Sequence, residues 1–169
     1  MTDDQPSAER RVSRELRGFT LIELLVVIAI MAVLASIGLP LAELSHRRTQ
    51  EEDLRRSLRE IRTAIDTYKR LVDLGSIQRA ADASGYPTQL AVLTQGVIDS
   101  KSPAGTRIYL LRQLPRDPFA SSSITAPEDT WDLRSYASPP DDPKPGKDVY
   151  DVHSKAVGVG LNGVPYRNW

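Results

Sequence analysis

Glu23 has the least expected chemistry in the chain. It is the only charged residue between Phe19 and Ala42, in a run that begins directly after Gly18 and extends to Leu44. A carboxylate held in hydrocarbon costs about 2.5–3.5 kcal/mol on insertion scales, so an acid in this position is functional by default. The plainer reading is that Glu23 lies only one turn inside the run and snorkels to the interface. Other reactive chemistry is scarce. The two histidines, His46 and His153, are far apart in sequence, and there is no cysteine. No Gly-x-Ser-x-Gly elbow and no phosphate-binding glycine loop occurs. Gly158, Gly160 and Gly163 have a dinucleotide-like spacing, but they follow no βαβ unit and open no helix, so they read as a turn-rich tail. An enzyme is not expected.

The element that must carry Glu23 is a helix. The apolar run covers about 26 residues, or roughly 39 Å at ~1.5 Å per residue, enough to cross a hydrocarbon core of ~30 Å. Pro40 lies inside it and predicts a kink or a locally melted turn, since proline lacks the amide donor and clashes one turn back. Beyond the run, Leu54, Leu58, Ile61, Ile65, Tyr68 and Val72 recur at helical spacing as one stripe. Glu51, Glu52, Asp53, Arg55, Arg56, Arg59, Glu60 and Arg62 lie between them. These predict a solvated face with pairs such as Glu51–Arg55 and Glu52–Arg56. Gly75 should end this helix as its C′ residue.

The remainder reads as a small domain of short elements. Thr88 is placed to cap a short helix over residues 89–95. Trp131, Leu133 and Ser135 alternate with Asp132, Arg134 and Tyr136, which suits a strand. Pro139, Pro140, Pro143, Pro145 and Gly146 make the next segment an exposed connection. Asp148 to Ser154 reads as a second strand, with Val149, Asp151 and His153 on one face and Tyr150 and Val152 on the other. Asn162-Gly163 predicts a tight turn.

The chain has 169 residues, with Lys+Arg and Asp+Glu both at 22. No global field therefore selects nucleic acid, and none is expected as a partner. Without cysteine, disulfide staples and thiolate metal sites are excluded. Arg10, Arg11, Arg14 and Arg17 precede the apolar run, but Arg47, Arg48, Arg55 and Arg56 follow it. Charge counting therefore does not orient the span.

Gly18-Phe19-Thr20-Leu21-Ile22-Glu23, with Pro40 in register, resembles the processing site of type IV pilins and of the pseudopilins of type II secretion systems. Leu114-Pro115-Arg116-Asp117-Pro118-Phe119 and the terminal Asn168-Trp169 are similar to the major, G-type pseudopilins. The stretch from Ala120 to Pro127 reads as an insertion relative to them. The resemblance implies an α+β, pilin-like fold, in which a long N-terminal helix with a transmembrane first half packs on a small antiparallel sheet of about three strands. It divides the chain into a leader (1–18), an assembly helix (19–44), its amphipathic continuation (45–75) and a C-terminal β-domain (76–169).

The resemblance also implies a function. A prepilin peptidase would cut between Gly18 and Phe19, and Phe19 would be N-methylated. Glu23 would serve assembly, close to the new amine, and Pro40 would let the helix extend in a filament. The partners implied are that peptidase, other pseudopilins, the inner-membrane secretion platform and membrane lipid. The implied location is the inner membrane, single-pass, with the C-terminal domain in the periplasm, and then the pseudopilus. Calcium is implied in the loop between the last strands, with Asp148, Asp151 and Asn162 as candidate ligands and Asp141 and Asp142 nearby. The family's acidic loop is missing, however, and Lys155 stands where an acid would help, so solvated loop charges are the competing reading. A type IV or minor pilin, and a hydrolase or binding protein on a pilin-like anchor, are the alternatives to a secretion subunit.

Overall fold

The computed structural model describes residues 18–169, so the leader expected over 1–18 lies outside it except for Gly18. The first helix, α1, spans Leu21–Asp73. The chain divides into two compact units, one ending at Glu43 and one covering Leu44–Trp169.

In the first unit the aliphatic side chains from Leu21 to Leu34, and Leu41, are largely exposed, as expected of a surface made for lipid or for other helices. The helical assignment runs unbroken through Pro40, so the melted turn expected there is absent. The aliphatic residues around it hold helical geometry on both sides, and one missing amide bond does not open the turn.

The second unit is built on the rest of α1. Leu54, Leu58, Ile61, Ile65 and Val72 are buried, as their spacing predicted. Burial of each large aliphatic side chain contributes about 1.5–3 kcal/mol. α1 ends in a Schellman motif. Ser76 N–H donates to the Leu71 carbonyl, Gly75 N–H donates to that of Val72, and Gly75 takes φ +74°.

Four short strands follow, β1 (Val97–Ile98), β2 (Arg107–Ile108), β3 (Trp131–Arg134) and β4 (Asp151–Ser154). They form two separate antiparallel pairs, β1–β2 and β3–β4, and not one three-stranded sheet. In the second pair Trp131 opposes Ser154 and Leu133 opposes Val152. The alternation along β3 is as expected, with Trp131 and Ser135 buried and Asp132 and Tyr136 exposed. β4 is shorter than expected. Val149, expected within it, lies outside, although both Val149 and Val152 are buried. Val149 N–H instead donates to the Pro87 carbonyl, and Tyr150 N–H rejoins β3 at Arg134.

The short helix α2 covers Ala91–Gln95 and has Leu90 at its N-cap, without a side-chain cap. Thr88 does not cap it. Leu90 and Leu93 are both buried in the core, so packing sets where this helix begins. Trp131, Val149, Val152 and Tyr166 complete that core against the α1 stripe.

Candidate functional site

Gly18, Phe19 and Thr20 precede α1 in irregular backbone. Phe19 is 85% exposed, and a Cβ added at Gly18 would meet nothing within 4 Å. The peptide between Gly18 and Phe19 is therefore open to an enzyme. Thr20 Oγ1 accepts from Glu23 N–H at 3.2 Å, and Thr20 N–H donates to Glu23 Oε2 at 3.4 Å. This reciprocal pair is a capping box, which satisfies two of the amides that a helix start leaves without partners. It also holds the Glu23 carboxylate at the amide of the residue next to Phe19. The negative charge lies at the positive end of the helix dipole. The Thr-x-x-Glu spacing ahead of an apolar run carries this signal in sequence, although Thr20 was not read as a cap.

Pro40 lies on the same helix, with Ser36 Oγ donating to the Val33 carbonyl one turn before it. The structure places Pro40 well along α1 from Gly18, Phe19 and Glu23, within the exposed apolar segment.

The candidate calcium ligands are not gathered. Asp148 Oδ1 accepts from Ser135 Oγ and from Tyr136 N–H, each at 2.8 Å. Asp151 Oδ1 is paired with Arg62 Nε at 2.7 Å and also accepts from Val152 N–H. Asn162 Oδ1 accepts from Val164 N–H inside the tail turn. One oxygen of each is already taken, by different protein donors in different parts of the unit. Asp142 pairs with Lys144. Among the described residues no three His, Cys, Asp or Glu side chains are grouped to hold a metal ion. As placed, these side chains do not form a calcium cage by themselves.

Glu51, Arg62 and Asp117 hold the globular unit together. Glu51 is 3% exposed, and its Oε1 accepts from Leu161 N–H and from Tyr166 Oη. Its helical partner is Arg47 and not Arg55. Arg55 instead lies over the Trp169 ring, 4.2 Å from its centroid, and Arg56 pairs with Asp53 in place of Glu52. The solvated-face reading fails at Glu51 because the tail turn brings two donors onto it. Arg62 bridges Asp151, the Val152 carbonyl and the Trp169 carbonyl. Asp117 is 1% exposed and accepts from Phe119 N–H and Ser154 Oγ, while Trp131 Nε1 donates to the Pro115 carbonyl. The Leu114–Phe119 segment is thus a clasp on β3 and β4. In the sequence this segment carries a resemblance to the major pseudopilins, but its partners across the fold are not visible there.

His153 Nδ1 is buried without a hydrogen-bond partner, and burial pushes this imidazole below its ordinary pKa. His46 lies on exposed helix surface. Neither has the paired geometry of a catalytic base.

Residues 16–39 match the family model of the prokaryotic N-terminal methylation motif. The chain is similar to the type II secretion system core protein G of Klebsiella michiganensis, 31% identical over 107 residues that cover 61% of this chain and 68% of the relative. The protein of the same name from Klebsiella pneumoniae is 32% identical over 109 residues, 62% of this chain and 70% of that one. The Dickeya chrysanthemi protein of that name is 28% identical over 160 residues, 90% of this chain and 97% of the relative. No solved structure matches.

Proposed function

The chain belongs to the family of the type II secretion system core protein G, and from that premise we propose that it is a structural subunit of a pseudopilus. Its N-terminus is cut by a prepilin peptidase between Gly18 and Phe19, and the new amine at Phe19 is methylated. The subunit is stored in a membrane through α1 and then packs by that helix against other pseudopilins. The work is mechanical, and the chemistry is done on the chain by its processing enzyme.

One observation carries this reading. The exposed Gly18–Phe19 junction stands directly ahead of a helix start capped by Thr20 and Glu23 together, and an exposed apolar surface follows directly. After cleavage the Glu23 carboxylate lies one residue from a positive amine, so either its own amine or that of a neighbouring subunit can neutralise it. Neutralisation removes much of the cost of placing the acid in an apolar helix bundle. Pro40 gives α1 a place to loosen when subunits pack. Export of folded proteins by growth of the filament, contact with the inner-membrane secretion platform, and a periplasmic C-terminal unit complete the proposal.

Mass spectrometry of the mature protein tests it. The expected N-terminus is Phe19 bearing one methyl group. A mature chain that starts at any other residue overturns the reading.

A further inference from the structure

Asn162 is exposed on the tail turn, and Gly163 follows it with no side chain to crowd its backbone nitrogen. This pair can react with itself. A solvent base removes the Gly163 amide proton, and the nitrogen attacks Asn162 Cγ to form a C–N bond in a five-membered succinimide. The Cγ–Nδ2 bond breaks, and ammonia leaves with a proton returned by that base. Water then opens the ring at either carbonyl, giving aspartate or isoaspartate. The step needs neither cofactor nor enzyme, and it is one source of the thermal lability of asparagine.

The folded turn restrains both reacting groups. Gly163 N–H donates to the Gly160 carbonyl at 2.9 Å, so removing its proton would set a nitrogen anion against that oxygen. Asn162 Oδ1 accepts from Val164 N–H at 3.1 Å, which ties the side-chain amide to the residue beyond Gly163. Leu161 and Asn162 do not take positive φ, Gly163 takes φ +79°, and Gly160 N–H closes the loop on the Val164 carbonyl. This is the arrangement of a three-residue hairpin loop with a glycine bulge.

The turn is in turn seated on α1. Leu161 N–H donates to Glu51 Oε1, and Arg47 Nη2 donates to the Val159 carbonyl. Trp169 packs so closely on Gly160 that a Cβ there would meet its ring. Asn162 and Gly163 must leave this conformation to cyclise, and the contacts with α1 oppose that.

We propose that Asn162 is a self-modification site, kept silent by the seated turn and reactive when the turn lifts from α1. Aspartate adds a charge at this position. Isoaspartate routes the backbone through the side chain and lengthens it, so Gly160 and Val164 no longer pair in register. The modification thus records irreversibly that the turn has opened.

The full chain, incubated in detergent at mildly alkaline pH, tests this by peptide mapping for aspartate and isoaspartate at residue 162. Glu51→Ala removes the acceptor of Leu161 N–H, and Glu51→Gln retains an acceptor there. Leu93→Ala removes core packing on α2 and serves as a control for general destabilisation. Conversion should be roughly fivefold faster or more in Glu51→Ala, the weight of one buried hydrogen bond, with Glu51→Gln and Leu93→Ala close to the parent. Equal rates in Glu51→Ala and the parent overturn the proposal. Equal acceleration by Leu93→Ala also overturns it, because the site would then react through global unfolding. A free peptide of residues 158–167 sets the unrestrained rate, and a parent chain that converts as fast as this peptide overturns the protection.

Discussion

Thr20 and Glu23 cap one another at the head of α1, each donating a backbone amide to the other's side-chain oxygen. The acid of the apolar run therefore has a structural partner before any second subunit is present. This separates its two properties. A glutamine can still accept from the Thr20 amide, but it has no charge for an amine.

Glu23→Gln should accordingly be processed at Gly18–Phe19 yet assemble poorly. Loss of one charge-assisted bond, about 1.5–3 kcal/mol, amounts to roughly tenfold or more in filament yield. Thr20→Ala should keep the charge and cost about 1 kcal/mol of helix start. Immunoblotting of sheared filaments reads both, and equal yield from Glu23→Gln and the parent removes the charge from the mechanism.

Gly18 has open space around it. Gly18→Val should leave the fold unchanged and still block maturation, because the constraint lies in the peptidase. Intact-mass measurement should find residues 1–18 retained and Phe19 unmethylated. Normal processing of this variant would place the cleavage elsewhere.

Glu51 and Tyr166 hold the tail turn on α1. Glu51→Ala leaves the Leu161 amide unpaired and should destabilise the globular unit by about 1–3 kcal/mol, whereas Tyr166→Phe should cost about 1 kcal/mol. Chemical unfolding in detergent measures this. A loss no greater than that of Glu52→Ala, next to it but exposed, would mean that the buried contact contributes nothing.

Asp117 receives Phe119 N–H and Ser154 Oγ in the interior. Asp117→Ala should cost about 1–3 kcal/mol and alter the near-ultraviolet signal of Trp131, whose Nε1 is bonded in the same clasp. Asp117→Asn, which keeps one acceptor, should lie between the variant and the parent.

Stability should fall on acidification in two windows. Burial lowers the His153 pKa from 6.5, so below 6.5 the unfolded chain takes a proton that the folded chain resists. The unfolded state then binds more protons, and stability drops as pH falls toward the folded value. Burial pushes the Asp148 carboxyl up, but hydrogen bonds from Ser84, Tyr136 and Ser135 outweigh it and hold it below 3.8. Its contribution is present above 3.8 and is lost as pH falls through the lower folded value. Denaturation midpoints against pH should show His153→Gln flattening the first window and Asp148→Asn the second.

What could be read directly from the residues was local and periodic. The apolar run, the 3–4 spacing from Leu54 to Val72, the Gly75 terminus, the alternation from Trp131 to Tyr136 and the Asn162-Gly163 turn each depend on neighbours within a few positions. They needed no knowledge of what lay across the fold. The N-terminal methylation motif over residues 16–39 was equally legible, because such a motif is a short linear stretch.

Tertiary structure decided everything that joins distant segments. Glu51 looked solvated until residues 161 and 166 delivered two donors to it. Asp148 and Asp151 lie close in sequence, yet Ser135 and Arg62, from different elements, bind one oxygen of each. Val149 looked like part of β4 until Pro87 drew its amide away. In each case a polar group takes a partner from another segment, and only the folded chain brings that partner within reach.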